Sequence, residues 1–103
     1  IPWDQAPAAG ALMGTKTILN EYVAYLDLAA LPAATFDARS QLIITYALCG
    51  VANLASVGLL VSTISTLAPG RRAQVSALGM KSWVAGNMAS AMTGAVIGLV
   101  TLV

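Results

Sequence analysis

CGVANLASVG, residues 49–58, lies in the middle of a run of 31 residues between Arg39 and Arg71 that contains no Asp, Glu, Lys or Arg. The run is too long for one straight membrane crossing, which needs about 20 helical residues, and too short for two. The ten quoted residues include two glycines, an asparagine and a serine, and each glycine weakens a helix by about 1 kcal/mol relative to alanine. We therefore expect two half-helices, about Gln41–Leu48 and Val57–Leu67, joined by an unwound stretch at membrane depth.

Such an interruption has consequences inside a membrane. Lipid tolerates an opened backbone only where protein or a water-filled cavity supplies new hydrogen-bond partners, and discontinuous helices of this kind build the substrate sites of secondary transporters. The alternative is an unbroken helix in which Asn53 and Ser56 pack against a neighbour. The broken transmembrane helix is assigned to residues 40–67.

Composition sets the class of protein. The chain has 103 residues, of which 58% are apolar and 9% charged, against roughly 45–50% and about 25% in soluble domains; its mean hydropathy is +0.81. These values predict an all-α integral membrane protein. With no His and a single Cys, the chain cannot form a zinc cluster, a disulfide framework or a His-based triad. We expect no enzyme activity, no metal site and no catalytic residues. A net charge of +1 from dispersed cations gives no surface for nucleic acid.

The first forty residues predict a re-entrant helical hairpin over about 8–31. Two apolar arms, Ala8–Leu19 and Tyr22–Leu31, flank the polar pair Asn20-Glu21. Each arm is half the length needed to span, and Pro32 stops the second arm because proline cannot continue a helix. The alternative is a single tilted helix from Ala8 to Leu31.

The remaining segments are an aqueous connector and a final membrane helix. The connector is Pro32–Ser40, in which Ser40 is a candidate cap for the next helix. A second charge-free run of 22 residues, Ser82–Val103, fits one crossing, so the last transmembrane helix is assigned to 74–103. Small residues recur in it every four positions, a pattern that lets membrane helices approach closely: Ser82, Gly86, Ser90, Gly94 and Gly98.

Two further features concern topology. The loop that contains Arg71 and Arg72 is followed by Lys81 at the start of the next helix. By the positive-inside tendency we expect this loop on the cytoplasmic side of the membrane, which puts the hairpin, the connector and Val103 outside. The segment Ile1–Gly10 lacks the basic region and apolar core of a secretory signal, and the chain reads as a piece of something longer.

Three polar side chains are the candidate substrate-binding residues. Glu21 is an ionisable group amid apolar sequence, which is costly at membrane depth without a partner or water; the alternative places it in water at an interfacial turn. Asn53 and Ser56 are spaced i, i+3 and share a helix face. A carboxylate, a carboxamide and a hydroxyl favour a neutral ligand rich in hydroxyl groups, such as a sugar. Asp27 is expected to reach outward or to pair with Lys16 across the hairpin.

At this point the chain resembles a known family. Gly14-Thr15-Lys16 followed by Asn20-Glu21-Tyr22-Val23-Ala24 is similar to the G-x-K-x-x-x-N-E-[FY]-V-A stretch of concentrative nucleoside transporters. The segments Thr45–Asn53 and Leu67–Arg72 resemble two further motifs of that family, in order and at its spacing. The resemblance covers about Gly10–Gly98 and matches only the C-terminal portion of a full transporter, the second of two structural repeats.

The resemblance implies a function for the candidate residues. In that family the hairpin glutamate and the asparagine and serine of the broken helix hold the nucleoside ribose, and by position these are Glu21, Asn53 and Ser56. The nucleobase and the coupling ion are held mainly by a first hairpin that this chain lacks. Val51 and Leu54 stand where the family often has phenylalanine, so the pocket is expected to be roomier and base selectivity to differ.

Residues 1–103 are therefore interpreted as the C-terminal part of a transporter substrate-binding domain. The expected activity is cation-coupled nucleoside symport, with sodium or protons, by alternating access in the inner (plasma) membrane. The expected partners are a nucleoside, the lipid bilayer, the missing N-terminal half and two further copies in a homotrimer; this chain itself is expected to bind no cofactor. A non-transporting membrane-assembly subunit that associates through small-residue packing is the alternative, and a small soluble helical bundle is a third possibility.

Overall fold

The computed structural model describes residues 1–102. Val103, the last residue of the predicted final helix 74–103, lies outside the described part. The described residues form five α-helices and one short 3-10 turn at Pro69–Arg71. The helices are α1 (Ala6–Ile18), α2 (Glu21–Ala30), α3 (Ala38–Ala47), α4 (Leu54–Leu67) and α5 (Arg72–Val100).

Helices α1 and α2 pack against each other as a hairpin. Only Leu19 and Asn20 separate them, and the Asn20 side chain accepts a hydrogen bond from the backbone N–H of Val23 at 2.9 Å, which caps α2. At the other end Leu31 adopts an extended backbone conformation, as expected for a residue before proline. The alternative of a single helix from Ala8 to Leu31 is therefore wrong.

The connector after the hairpin ends at an aspartate that caps the next helix. The Oδ1 atom of Asp37 accepts a hydrogen bond from the Ser40 N–H at 2.7 Å, so the cap of α3 is Asp37 and the prediction of Ser40 as the cap is wrong. Ser40 lies three residues later, inside the first turn, and is buried. The hydrogen bond from the Ser40 N–H is the main reason why the pKa of Asp37 is held below its usual value. Gln5 donates to Asp37 Oδ2 at 3.2 Å and ties the start of the chain to the same cap.

The chain leaves the helical conformation between α3 and α4, over residues 48–53. The backbone N–H of Gly50 donates to the Leu48 carbonyl at 2.8 Å and that of Asn53 to the Val51 carbonyl at 3.1 Å, which are three-residue turns rather than helical bonds. The unbroken-helix alternative is therefore excluded. Helix α4 begins at Leu54, three residues before the predicted Val57, because Asn53 caps it.

Helix α5 packs along both α3 and α4. A Cβ atom added to Gly94 would lie 2.8 Å from Ala47 Cβ, and one added to Gly86 would lie 2.7 Å from Ala52 Cβ. These approaches are possible only because the stripe carries small residues, so its predicted packing role is confirmed, with Ser82 exposed at its end. The opposite face presents exposed apolar side chains to the surroundings: Val84, Met88, Met92 and Leu99.

The chain is extended for its size. Its principal extents are 51 × 26 × 18 Å, and its accessible surface of 6588 Å² exceeds the roughly 5,400 Å² expected of a compact monomer of this mass. Within residues 1–102, one helix, Pro69–Val100, is long and apolar enough to cross a membrane; Leu54–Leu67 is apolar but shorter. The exposed apolar surface is therefore suited to contact with lipid or with further protein.

Candidate functional site

Two helix N-termini open on one pocket. Helix α2 starts at Glu21, after its Asn20 cap, and α4 starts at Leu54, after its Asn53 cap. Between them lies an open pocket of about 200 Å³. The structure therefore brings all three predicted site residues to one cavity, although they come from segments more than thirty residues apart in the chain. The lining residues are Leu19, Asn20, Glu21, Val51, Asn53, Ala55, Ser56 and Leu59.

Glu21 is half-buried at the first position of α2. Its Oε2 atom is buried and has no hydrogen-bond partner among the described residues. A buried carboxylate oxygen without a donor is unfavourable, and such atoms usually find a partner. The alternative that Glu21 lies in water at an interfacial turn does not fit this burial. Glu21 lines the pocket, and one of its carboxylate oxygens is an acceptor that no donor among the described residues uses.

Asn53 is 1% exposed and is already engaged by the protein. Its Oδ1 atom accepts a hydrogen bond from the Ser56 N–H at 2.8 Å, and its Nδ2 donates to the Val51 carbonyl at 3.3 Å. A carboxamide has two donor hydrogens and two acceptor lone pairs, so one of each remains for another group. The Ser56 side chain is half-buried in the same wall, so the pair can present an amide and a hydroxyl side by side.

Tyr25 is a residue of this region that the sequence analysis missed. Its hydroxyl donates to the Thr45 carbonyl at 2.6 Å. In a continuous helix that carbonyl would accept from the Cys49 N–H, which donates to the Tyr46 carbonyl at 3.2 Å instead. The Tyr25 hydroxyl of the hairpin therefore replaces the backbone donor that the Thr45 carbonyl loses where the helix is interrupted. The available signal was the i, i+4 spacing of Glu21 and Tyr25, which places both on one face of α2.

Lys16 is a second residue of this region that was not among the predicted site residues. It is fully buried, and its ammonium donates to Asn87 Oδ1 on α5 at 3.0 Å. Of the two alternatives for Asp27, pairing with Lys16 is wrong, and an outward position agrees with the structure: Asp27 is exposed and borders a groove between α1 and α2. Thr17 and Trp83 strengthen the same junction, because the Trp83 indole donates to the Thr17 carbonyl at 3.3 Å. The signal was Asn87 itself, the one amide side chain in the charge-free run 82–103.

The polar groups that line the pocket include one carboxylate and no cation. The pocket lining contributes a carboxylate, amides and a hydroxyl, with no Lys or Arg among the lining residues, whereas an anion site would need positive charge. Over residues 1–102, no group of three or more His, Cys, Asp or Glu side chains could hold a metal ion. The arrangement fits a ligand that offers hydroxyl donors.

The chain matches, over residues 1–98, the protein family described as Na+ dependent nucleoside transporter C-terminus. It is 36% identical to nucleoside permease NupC of Helicobacter pylori over 103 residues, which cover 96% of this chain and 25% of that protein. It is also 37% identical, over 100 residues, to the putative nucleoside permease NupX of Escherichia coli, covering 95% of this chain and 24% of that protein. The chain thus spans about a quarter of the length of these relatives.

Solved structures show the same relationship. The chain superimposes on CNTnw in an inward-facing substrate-bound state with a TM-score of 0.88 and 40% identity, covering 96% of this chain and 25% of that one. It superimposes equally well on a variant of CNTnw in an outward-facing state, with a TM-score of 0.88 and 40% identity. This match covers 96% of this chain and 24% of that one.

Proposed function

Because the chain belongs to the family of sodium-dependent nucleoside transporters, as part of their C-terminal region, we propose that it forms part of the substrate-binding domain of a cation-coupled nucleoside symporter. In this proposal Glu21, Asn53 and Ser56 hold the ribose. The whole transporter would carry the nucleoside together with sodium or a proton.

The observation that carries the proposal is that Glu21, whose Oε2 atom has no hydrogen-bond partner among the described residues, lines one pocket together with Asn53 and Ser56. A ribose offers adjacent hydroxyl groups, which can donate to the two oxygens of one carboxylate. Hydrogen bonds to an ionised acceptor are roughly twice as strong as neutral ones. The amide and hydroxyl opposite can complete the polar contacts of the sugar.

The membrane arrangement follows from the helix lengths. Helices α1 and α2, of 13 and 10 residues, are too short to span, and they would form a re-entrant hairpin with Asn20-Glu21 at its tip. Helices α3 and α4 would be the halves of a discontinuous membrane helix. Helix α5 would be the final crossing, and the exposed apolar surface would face lipid, the N-terminal part of the transporter and the other subunits of a trimer in the plasma membrane.

Alternating access is supported by the comparison of states. The chain is equally similar to CNTnw facing inward and facing outward, with a TM-score of 0.88 in both cases. Similarity to both states is what we expect if this segment keeps its internal shape and moves as a unit. We therefore propose that the hairpin, the interrupted helix and α5 move together and carry the ribose site across the membrane.

The alternative of a passive assembly subunit is less consistent with the packing. Its basis was the small-residue stripe of α5, but Gly86 and Gly94 are covered by Ala52 and Ala47 of the same chain. The stripe is thus occupied within the chain and is not free to bind a different subunit.

The proposal is tested by combining one substitution in the protein, Glu21→Gln, with a ligand that lacks the two ribose hydroxyls. In the full-length transporter, Glu21→Gln should weaken binding of uridine about ten- to a hundredfold, because a hydrogen bond to a charged group contributes about 1.5–3 kcal/mol. Binding of 2′,3′-dideoxyuridine, which lacks the hydroxyls, should be nearly the same in both proteins. Calorimetry on the purified transporter measures all four affinities.

Asp27→Asn is the matched control. Asp27 lies on the same helix, is exposed and does not line the pocket, so its substitution should leave both affinities unchanged. Equal losses for the two ligands in Glu21→Gln would show that Glu21 does not contact the sugar and would reject the proposal.

A further inference from the structure

We propose that Lys16 is a positioning residue for the ribose site: its buried ammonium joins the hairpin tip to α5 and to the interrupted helix, and so sets where the Glu21 carboxylate stands. This inference rests on the proposed function, because it concerns how the same site is held. Lys16 does not line the pocket and would act through Glu21.

The burial of Lys16 is the first argument. The residue is fully buried, although lysine is almost never fully buried unless it is paired. The Nζ atom donates to Asn87 Oδ1 at 3.0 Å, and Thr17 donates to the same oxygen at 3.3 Å. Asn87 is in turn oriented by its own Nδ2, which donates to the Trp83 carbonyl at 2.9 Å. A chain of hydrogen bonds therefore holds the ammonium in one place.

Gly50 shows that the ammonium also reaches the interrupted helix. A Cβ atom added to Gly50 would overlap the Ser90 hydroxyl on α5 and would lie 3.4 Å from Lys16 Nζ. The ammonium therefore stands where three segments meet: the end of α1, the non-helical residues 48–53, and α5. Lys16 thus lies beside the segment that ends at Asn53, in addition to its hydrogen bond to α5.

Electrostatics connects this junction to the site. Glu21 has the opposite charge to Lys16 and lies close to it in the chain, and its Oε2 atom has no hydrogen-bond partner among the described residues. In a medium of low dielectric constant, an attraction between opposite charges extends well beyond hydrogen-bonding distance. Lys16 is five residues before Glu21, across the turn at Leu19 and Asn20, and its attraction draws the carboxylate towards the interior of the protein. The carboxylate is thereby kept at the pocket wall opposite Asn53.

The expected consequence is specific to the sugar. Without the ammonium, the Glu21 carboxylate is free to turn towards water, and the ligand loses the acceptor for its hydroxyl groups. Contacts to the nucleobase do not involve this carboxylate in the proposed site. A ligand without the ribose hydroxyls should therefore be indifferent to Lys16, whereas a general loss of structure would weaken the binding of every ligand.

The test uses the full-length transporter and the variants Lys16→Met, Glu21→Gln and the double variant, each titrated with uridine and with 2′,3′-dideoxyuridine. Lys16→Met should weaken uridine binding about tenfold, which is one charge-assisted hydrogen bond, and should change dideoxyuridine binding less than about twofold. In the Glu21→Gln background, Lys16→Met should have little further effect. Lys16→Arg, which keeps the charge, should recover most of the uridine affinity.

Lys81→Met is the control, because it removes an exposed lysine with the same change of side chain and should alter neither affinity. If Lys16→Met does not fold, Asn87→Leu removes the acceptor of the ammonium and should give the same ligand-selective loss at a smaller size. Equal losses for both ligands in Lys16→Met or Asn87→Leu, or additive losses in the double variant, would overturn the inference while leaving the sugar contact of Glu21 intact. A Glu21→Gln variant that does not discriminate between the ligands would instead reject the proposed function and this inference with it.

Discussion

Asn20 and Asn53 begin two helices in the same way, and those helices start at the two walls of one pocket. The Oδ1 atom of Asn20 accepts from the Val23 N–H at 2.9 Å, and the Oδ1 atom of Asn53 accepts from the Ser56 N–H at 2.8 Å. Each cap satisfies a backbone donor that the first turn of a helix leaves without a partner. Each also fixes the backbone that carries a candidate ligand contact, Glu21 in one case and Ser56 in the other. Capping and the proposed ligand binding therefore depend on the same two amides.

Substitutions of Asn53 should separate its two roles. Asn53→Ala removes the cap and should lower the free energy of unfolding by about 1 kcal/mol, with weaker uridine binding as well. Asn53→Ser keeps a capping oxygen and should retain most of the stability, but it lacks an amide donor for the ligand. Thermal unfolding and calorimetry on the two variants of the full-length transporter measure both effects. Equal binding by Asn53→Ser and the unchanged protein would show that Asn53 acts only as a cap.

Gly94 should not accept a side chain, whereas Gly58 should. A Cβ on Gly94 would lie 2.8 Å from Ala47 Cβ and 3.3 Å from the Ile43 carbonyl oxygen, so helix α3 would have to move. We expect Gly94→Ala to destabilise the protein by about 1–3 kcal/mol, as for other overpacked sites.

Gly58 lies in α4 with no atom within 4 Å of an added Cβ. Gly58→Ala should be neutral or should stabilise by up to about 1 kcal/mol, since alanine is the better helix former. Thermal unfolding of both variants in one detergent makes the comparison, and a similar melting temperature for the two would contradict the close approach of α3 and α5.

Tyr25→Phe should destabilise the interrupted region without changing the shape of the side chain. It removes the hydroxyl that donates to the Thr45 carbonyl and leaves a part-buried acceptor without that donor, at a cost of about 1–3 kcal/mol. The backbone amides that follow α3 should then exchange hydrogen faster. Hydrogen-exchange mass spectrometry measures this, with Tyr22→Phe, an exposed position on the same helix, as the control. Unchanged exchange in Tyr25→Phe would mean that the helix interruption does not depend on the hairpin.

The Asp37 cap should make stability depend on acid. Its pKa is lowered in the folded protein, first by the hydrogen bond from the Ser40 N–H, so the unfolded chain takes up a proton more readily. The stabilisation is therefore fully present above the ordinary pKa of about 4 and is lost as the pH falls through the lower folded value. Asp37→Asn keeps a capping oxygen without a titrating group. Between about pH 5 and pH 3 the melting temperature should fall more steeply for the unchanged protein than for this variant, and parallel curves would contradict the assignment.

Much of the helix division was predictable from local features. The polar pair Asn20-Glu21 between two short apolar arms marked the hairpin turn, and the density of Gly, Asn and Ser marked the interruption between α3 and α4. The start of α4 was predicted three residues too late because the Gly, Asn and Ser residues up to Gly58 indicated an unwound stretch, whereas the extended backbone and side chain of Asn53 make it the cap. The asparagine was visible in the sequence, but its capping conformation is visible only in the folded backbone.

The partner of Lys16 was not predictable in the same way. Asp27, eleven residues along, has the opposite charge and is the natural choice from sequence. Asn87 is 71 residues away and is neutral, and nothing in the spacing of the chain brings the two together. The pairing depends on how α5 crosses the end of α1, which is a property of the tertiary packing.

In the proposed symporter, the buried ammonium of Lys16 changes how the membrane voltage acts on the ribose site. Moving one elementary charge through 100 mV changes the free energy by about 2.3 kcal/mol. When the hairpin moves as proposed, Lys16 and Glu21 travel together, their charges are opposite, and the electric field does no net work on the pair. A nucleoside is neutral and adds nothing to this sum. The electrical driving force for uptake then acts through the coupled cation, and the site itself can return empty against a resting potential without an electrical barrier from this pair.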